Sequence, residues 1–214
     1  MANGDPLPRP LFKKLLPHTD RIIALDGGLE NLKRWNVVPD DVVGDFDSIA
    51  KHNLTWAKQK RVTIHHRPSQ EDSDFTKGMD FCREQRLNRV LVTCFTGDRL
   101  DHVLYALDYS SFASRLHIHL LTPSALLIPL RGRIAREFSI PHRHTVSWFG
   151  FPEAQHCSLE GVRWPFRNRT LRLNGFYSLS NESTETTIRL RQQQGQSLLM
   201  VGLYPTDRRN SHMK

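Results

Sequence analysis

The segment Pro39-Asp40-Asp41-Val42-Val43-Gly44-Asp45-Phe46-Asp47-Ser48 places two aspartates one residue apart, directly after a short apolar run and a glycine. Val42 and Val43 read as a buried strand, and Gly44 lets the backbone turn tightly where that strand ends. Carboxylates in such a place suit a hard cation such as Mg²⁺, which keeps several waters and bridges substrate phosphates. If alternation continues through the turn, Asp45 and Asp47 point to one side and Phe46 to the other. A lone Asp-x-Asp is more often a solvated acidic turn. Here other carboxylates recur at equivalent places. Asp26 ends an earlier apolar run before Gly27 and Gly28, Ser73 and Asp74 open a later helix, and Arg99 and Asp101 follow Gly97. Such carboxylates on one edge repel one another unless a cation lies among them. A metal-bound polyphosphate meets that condition. Helix N-termini would add N–H donors, with Lys77 and Arg99 as phosphate partners, Arg99 through its bidentate fork.

These residues need a scaffold that brings strand ends together, and the first half of the chain has the pattern for one. Strands are expected at Arg21 to Asp26, Asp41 to Asp47, Val62 to His66 and Arg89 to Phe95. Between them lie helical patterns at Leu29 to Asn36, Leu54 to Lys60 and Asp72 to Gln85, the last capped by Asp72 or Ser73. Leu100 to Phe112 is a further amphipathic helix. This alternation predicts an α/β domain over residues 1–124, with a mostly parallel sheet and helices on both faces. In such sheets ligands bind outside the carboxyl ends of the strands, where the aspartates fall. After Leu116 the rhythm changes to short strands at His117–Leu121, Ala125–Leu130, Arg133–Phe138, Thr145–Phe149, Arg169–Leu173, Thr186–Arg191 and Ser197–Leu203. Turns are expected at Arg131-Gly132, Phe151-Pro152, Asn174-Gly175 and Gln194-Gly195. Residues 125–214 are therefore expected to form an antiparallel β-sandwich domain.

Charge divides the chain in the same way. Residues 1–114 hold 16 Lys+Arg and 16 Asp+Glu, whereas residues 115–214 hold 14 and 6, so the net charge of +8 lies wholly in the second part. Its arginines are dispersed, without the run expected of a nucleic-acid tail. Nothing approaches a membrane span, and the beginning of the chain lacks the pattern of a secretory signal. Three widely spaced cysteines argue for reduced thiols in a cytoplasmic protein. Trp35 and Trp56 read as core residues, while Trp164, beside Pro165, suits either core packing or stacking on a flat ring.

Taken together, Asp26-Gly27-Gly28, Pro39-Asp40 and Gly44 to Ser48 resemble the signature of the thiamine pyrophosphokinases. Gln70 to Lys77 and Gly97 to His102 are similar to the family's next two segments, and Gly161 to Phe166 and Ser178 to Glu182 to two segments of its β-domain. The motifs occur in order from about Asn3 to Tyr204. The resemblance implies transfer of a pyrophosphoryl group from ATP to the thiamine hydroxyl, with Mg²⁺, by a homodimer whose active sites lie between subunits. It implies metal and ATP organisation by Asp45, Asp47 and Asp74. It assigns nucleotide or phosphate contacts to Gln70, Ser73, Lys77, Arg99 and Asp101. Asp26, at the neighbouring strand end, is expected to join them, and by its chemistry one carboxylate, Asp47 or Asp101, is expected to accept the hydroxyl proton. Ser178, Ser180 and Asn181 fall on the thiamine side. The sequence departs from the family pattern at Asp98, where a second glycine is usual, and at Asn3-Gly4, before which the first strand is short. One other reading uses the same residues, an aspartate-dependent Mg²⁺ phosphatase with Asp45 as nucleophile; another uses the arginine-rich second half, a basic nucleotide- or nucleic-acid-binding protein.

Overall fold

The computed structural model describes residues 1–47, 49–113 and 116–206. Ser48, part of the opening motif, lies outside them. Two compact units divide the chain: Met1–Leu107 with Ala113–Pro123, and Asp108–Phe112 with the chain from Ser124 onward. Among the described residues no helix is long and apolar enough to cross a membrane.

In the first unit, α1 (Arg9–Leu15) is followed by a short 3₁₀ turn, Leu16–His18. Next come β1 (Ile23–Leu25), α2 (Gly28–Arg34), β2 (Asp41–Gly44), α3 (Lys51–Gln59) and β3 (Thr63–His66). Then follow α4 (Asp74–Glu84), β4 (Arg89–Thr93), α5 (Leu100–Phe112), whose last residues from Asp108 belong to the second unit, and β5 (His117–Leu121). Strands β1, β2 and β3 form a parallel sheet in that order, and β4 pairs parallel with β5. The α/β class expected from the alternation is the one found. Helix α4 shows why this sequence folds so. Ser73 Oγ caps it by accepting the Thr76 N–H, Asp74 sits in its positive first turn, and Phe75, Met79 and Cys82 are buried along one face. Phe81 of the same helix packs with Leu25 of β1 and Val43 of β2. Each such side chain taken from water contributes about 1.5–3 kcal/mol.

The start of the chain departs from expectation. Residues 1–5 lie between β1 and β4 although no regular strand is assigned there. Met1 N donates to Ile23 O and Leu25 N to Met1 O; on the other side Ala2 N donates to Thr93 O, Gly4 N to Cys94 O and Asp5 N to Thr96 O. The edge that looked short in the sequence is thus filled. Glycines permit the close approach: a Cβ on Gly28 would meet Met1 O at 2.4 Å, and one on Gly4 would meet Thr96 O at 2.1 Å.

The second unit holds β6 (Ala125–Arg131), β7 (Ile134–Ser139), β8 (His144–Glu160), β9 (Phe166–Arg172), β10 (Ser178–Glu182), β11 (Thr187–Gln192) and β12 (Gln194–Pro205). The order is β6-β12-β8-β11-β7, with β9 and β10 also on β8, and all of these pairings are antiparallel. Strand β8 runs for 17 residues straight through Phe151-Pro152, where a turn was expected. Its first part pairs with β10 and β12, its last part with β9 and β11. Trp148 in its first part is fully buried in the core, and its Nε1–H donates to Ser197 Oγ at 2.9 Å. Ser197 in turn donates to Gln192 Oε1, whose amide donates to Gly132 O. Every link of this buried polar chain is satisfied, which is the condition for tolerating it in a core.

Trp35 is in the core, whereas Trp56 is only half-buried and Trp164 is 57% exposed, so core packing does not describe Trp164. Cys82, Cys94 and Cys157 are buried free thiols. His65 belongs to a structural network at the beginning of β2. Asp41, buried there, accepts from Arg21 at 2.6 and 2.9 Å and contacts His65 Nε2 at 2.8 Å. Burial alone would raise the Asp41 pKa, but the hydrogen bonds from Arg21 and His65 hold it below the usual carboxylate value.

Candidate active site

The opposite end of β2 delivers Asp45. Asp45 Oδ2 lies 2.5 Å from Lys77 Nζ, and Asp74 Oδ1 lies 3.6 Å from the same ammonium. Asp26, at the end of β1, is buried and adopts φ 41°. It fits beside β2 because Gly44 has no side chain: a Cβ there would stand 3.1 Å from Asp26 Cβ and Oδ1. Lys77 thus places one ammonium among these carboxylates.

Electrostatics follow from this geometry. The Lys77 hydrogen bond lowers the Asp45 pKa. Burial, then repulsion by Asp26, raises that of Asp74, with Lys77 only partly offsetting them. Burial by itself would lower the Lys77 pKa, but its bond to Asp45 and the charges of both aspartates raise it.

Asp47 goes elsewhere. Phe46 stands at φ 67°, a left-handed conformation costly for a bulky residue, so strand alternation stops at Asp45. The turn is closed by Asp47 N–H donating to Asp45 Oδ1 at 3.2 Å, and the Phe46 ring stacks on His66 with centroids 5.6 Å apart. Asp47 Oδ2 accepts from Gln70 Nε2 at 3.1 Å. Instead of a shared face, the two aspartates have separate partners, Lys77 for Asp45 and Gln70 for Asp47.

A cavity of about 580 Å³ opens in this unit. Of the expected residues, Ser73, Asp74 and Arg99 line it. So do Asn3, Gly4 and Asp5 of the initial segment, Thr96, Asp98, His102, and an apolar part made by Leu25, Phe75, Phe95, Tyr105 and Ala106. This volume is in the usual range for small-molecule and cofactor sites. Asp101 is held by Arg99 through two bonds, 3.0 and 2.7 Å, on the exposed surface, and the guanidinium holds its pKa well below the usual range. Sequence reasoning missed the walls formed by Asp5, Thr96 and Tyr105. The Asn3-Gly4 pair was the one visible signal for the first of these; Tyr105 gave none beyond helical periodicity.

In the second unit, a separate hollow of about 360 Å³ is lined by Trp164, Phe166, Arg169, Phe176, Tyr177, Ser178 and Asn181, among others. Asn181 is buried and fully engaged. Its Oδ1 accepts from Trp164 N and Glu182 N, and its Nδ2 donates to Trp164 O at 2.8 Å and Ser178 Oγ at 3.3 Å. It therefore holds the Trp164 loop in place. Ser180 is exposed, at φ 53°, and its N–H donates to Ser147 Oγ. The Trp164 ring carries the Arg163 guanidinium 4.9 Å from its centroid.

Mg²⁺ bridging a polyphosphate needs one or two carboxylates and completes its shell with water and phosphate oxygens. Asp45 and Asp74, hard oxygen donors at one strand edge, fit that need. Among the described residues no three His, Cys, Asp or Glu side chains form a ready cage, so such an ion would depend on substrate oxygens.

Carboxylates, a buried lysine and a cavity in an α/β unit, followed along the chain by an antiparallel β unit, offer the charge neutralisation and positioning that phosphoryl transfer needs. The chain belongs to the thiamin pyrophosphokinase family: the catalytic-domain profile matches residues 12–120 and the vitamin B1 binding-domain profile residues 134–195. It is 24% identical over 185 residues to the thiamine pyrophosphokinase of Bacillus subtilis, covering 82% of this chain and 85% of that one. A yeast relative, thiamine pyrophosphokinase of Saccharomyces cerevisiae, is 30% identical over 80 residues, 33% of this chain and 25% of that one. The fold is similar to that of thiamin pyrophosphokinase from Candida albicans, with TM-score 0.81, 17% identity and coverage of 95% and 88%. It is also similar to the Bacillus subtilis crystal structure, with TM-score 0.79, 19% identity and coverage of 94% and 96%.

Proposed function

We propose that this chain transfers the pyrophosphoryl group of ATP to the hydroxyl of thiamine, giving thiamine diphosphate and AMP. The observation that carries the reading is the cluster of Asp26, Asp45, Asp74 and Lys77 at the strand ends, in a chain that matches both family domains in order. The hydroxyl oxygen attacks the β-phosphorus, the bond from that phosphorus to the α–β bridging oxygen breaks, and AMP leaves with the electron pair. Such a reaction depends on positioning and charge neutralisation more than on covalent help.

In this reading Asp45 and Asp74 hold Mg²⁺, with Asp47 at the same loop. The ion, when bound, supplies neutralisation of the polyphosphate charge. Lys77 turns from its carboxylates toward phosphate, and Asp26, Gln70 and Ser73 line the nucleotide path. Arg99 serves as a phosphate clamp, with Asp101 orienting its guanidinium through their two bonds. Asp101 is committed to Arg99 by that pairing, so in this reading Asp47 accepts the hydroxyl proton. On the β unit, Ser178 and Ser180 face thiamine, Trp164 offers a ring for stacking, and Asn181 contributes by fixing Trp164. The protein acts as a cytoplasmic homodimer, consistent with unbridged thiols and with exposed Leu173, Tyr177 and Leu179 on the β unit.

A coupled AMP-release assay with Mg²⁺-ATP tests the reading. AMP formation strictly dependent on thiamine is expected. Release of inorganic phosphate without thiamine would point instead to the phosphatase chemistry, and AMP release only with a different alcohol would overturn the acceptor.

A further inference from the structure

Three hydroxyls form a chain into the cavity of the first unit. Tyr105, on its wall, has its Oη 2.6 Å from Thr76 Oγ1. Thr76 Oγ1 lies 3.1 Å from Ser73 Oγ, which also accepts the Thr76 N–H at 3.2 Å. Ser73 caps α4 and lines the same cavity next to Asp74. The Tyr105 ring meets Phe75 edge-on at 6.5 Å, which fixes its plane.

Each hydroxyl has one proton to give and lone pairs to receive. Ser73 can give its proton to a ligand only when Thr76 donates to Ser73. Thr76 is then left accepting from Tyr105. A phenol is the most acidic of the three hydroxyls and suits the donor end, and bonds aligned in one direction strengthen one another. The outcome is a neutral donor directed at a ligand oxygen. It stands at an edge where Asp26, Asp45 and Asp74 oppose an anion, and adds to the one ammonium, Lys77, placed among them.

We propose, resting on the reading that this cavity takes the ATP polyphosphate, that Tyr105 is a positioning residue for the nucleotide phosphates, acting through Thr76 on the Ser73 hydroxyl. It touches neither the reacting phosphorus nor the acceptor alcohol in this role. Its loss therefore weakens nucleotide binding and leaves thiamine binding alone.

Titration calorimetry with Mg²⁺-ATP in the absence of thiamine measures the effect directly, on the unsubstituted protein and on Tyr105→Phe, Thr76→Val and the double variant. Each single substitution is expected to weaken binding about three- to tenfold, the worth of one hydrogen bond. The double variant should be no weaker than the weaker single, because both break one chain. Thr76→Ser should restore binding, and the KM for thiamine and the melting midpoint of Tyr105→Phe should match the unsubstituted protein. Unchanged ATP affinity in Tyr105→Phe, or additive losses in the double variant, would overturn the proposal. Since binding is read without an acceptor, failure of thiamine as substrate would be seen separately, in the AMP-release assay. A protein that binds no Mg²⁺-ATP would sink both.

Discussion

Asp74 sits where burial and the charges of Asp26 and Asp45 both oppose its ionised form, while its place in the site requires that form. The folded protein holds this proton more tightly than the unfolded chain does. Between the ordinary carboxylate pKa and the raised one, stability of the ligand-free protein therefore falls as pH rises. Asp41 and Asp45 act in the opposite sense. Their lowered values contribute stability that is present above the ordinary carboxylate pKa and is lost as pH falls through the folded values. Asp74→Asn should raise the melting midpoint of the ligand-free protein at neutral pH by about 1–3 °C, a modest gain because the side chain is partly exposed. The same variant should lower kcat/KM by about 10²–10³-fold. Thermal melts beside AMP-release kinetics check both, and a destabilised variant would contradict the electrostatic account. The site's residue types were legible because Asp26, Asp45, Asp74 and Lys77 fall at predictable strand and helix ends. The divergence of Asp45 from Asp47 was not, because it depends on a left-handed Phe46, a conformation that residue type argues against.

At the level of elements, what escaped the sequence did so for particular reasons. Helix α1 carries Pro10 and is flanked by Pro8 and Pro17, which read as breakers although proline is acceptable in a first turn. Strand β10, Ser-Leu-Ser-Asn-Glu, has one apolar residue and no alternation to detect. Strand β8 was recognised only before Pro152, since a proline inside a strand normally ends it. The initial segment was legible only as the Asn3-Gly4 pair, yet it is wedged between two strands and forms a wall of the cavity. Gly4→Ala would push its Cβ into the Thr96 carbonyl. A loss of about 1–3 kcal/mol is expected, with a raised KM for ATP and an unchanged KM for thiamine; equal changes in both would argue against this wall serving the nucleotide. Asn181 plays the corresponding part between β10 and the Trp164 loop. Asn181→Ala leaves buried backbone partners unmet and should cost about 2–3 kcal/mol. It should also raise the KM for thiamine at least about tenfold, whereas an unchanged KM would free Trp164 from any part in the acceptor site.

For the molecule as a whole, the division of charge and of apolar exposure matters more than net charge. Several arginines of the β unit are already committed locally, Arg172 to Glu153 at 3.0 Å, Arg189 to Glu137 at 3.0 Å, and Arg169 over the Phe176 ring at 4.2 Å. That leaves little of a continuous basic track for nucleic acid, so no salt-sensitive gel shift with DNA is expected. Leu179 is 60% exposed. Leu179→Lys should change the stability of one subunit by no more than about 0.5 kcal/mol, yet shift light-scattering mass toward the monomer at low micromolar concentration with loss of AMP formation. An unchanged mass would remove this face from the proposed dimer. The fold class was legible at this scale from the change of rhythm near Leu116. The pairing of β8 with four other strands was not, because partners so distant in sequence leave no local pattern.

That pairing sets the order in which the β unit can be made. Strand β12 lies between β6 and β8, although both of those precede it in the chain. While β12 is still inside the ribosome, β6 and the first part of β8 have emerged with the edges it will join left open, the kind of edge that recruits other chains. Sheet closure must wait for the last strand, a long-range step that is intrinsically slow. The α/β unit can begin folding as it is made, but the β unit depends on the synthesis of β12, and on whatever shields those edges until that strand arrives.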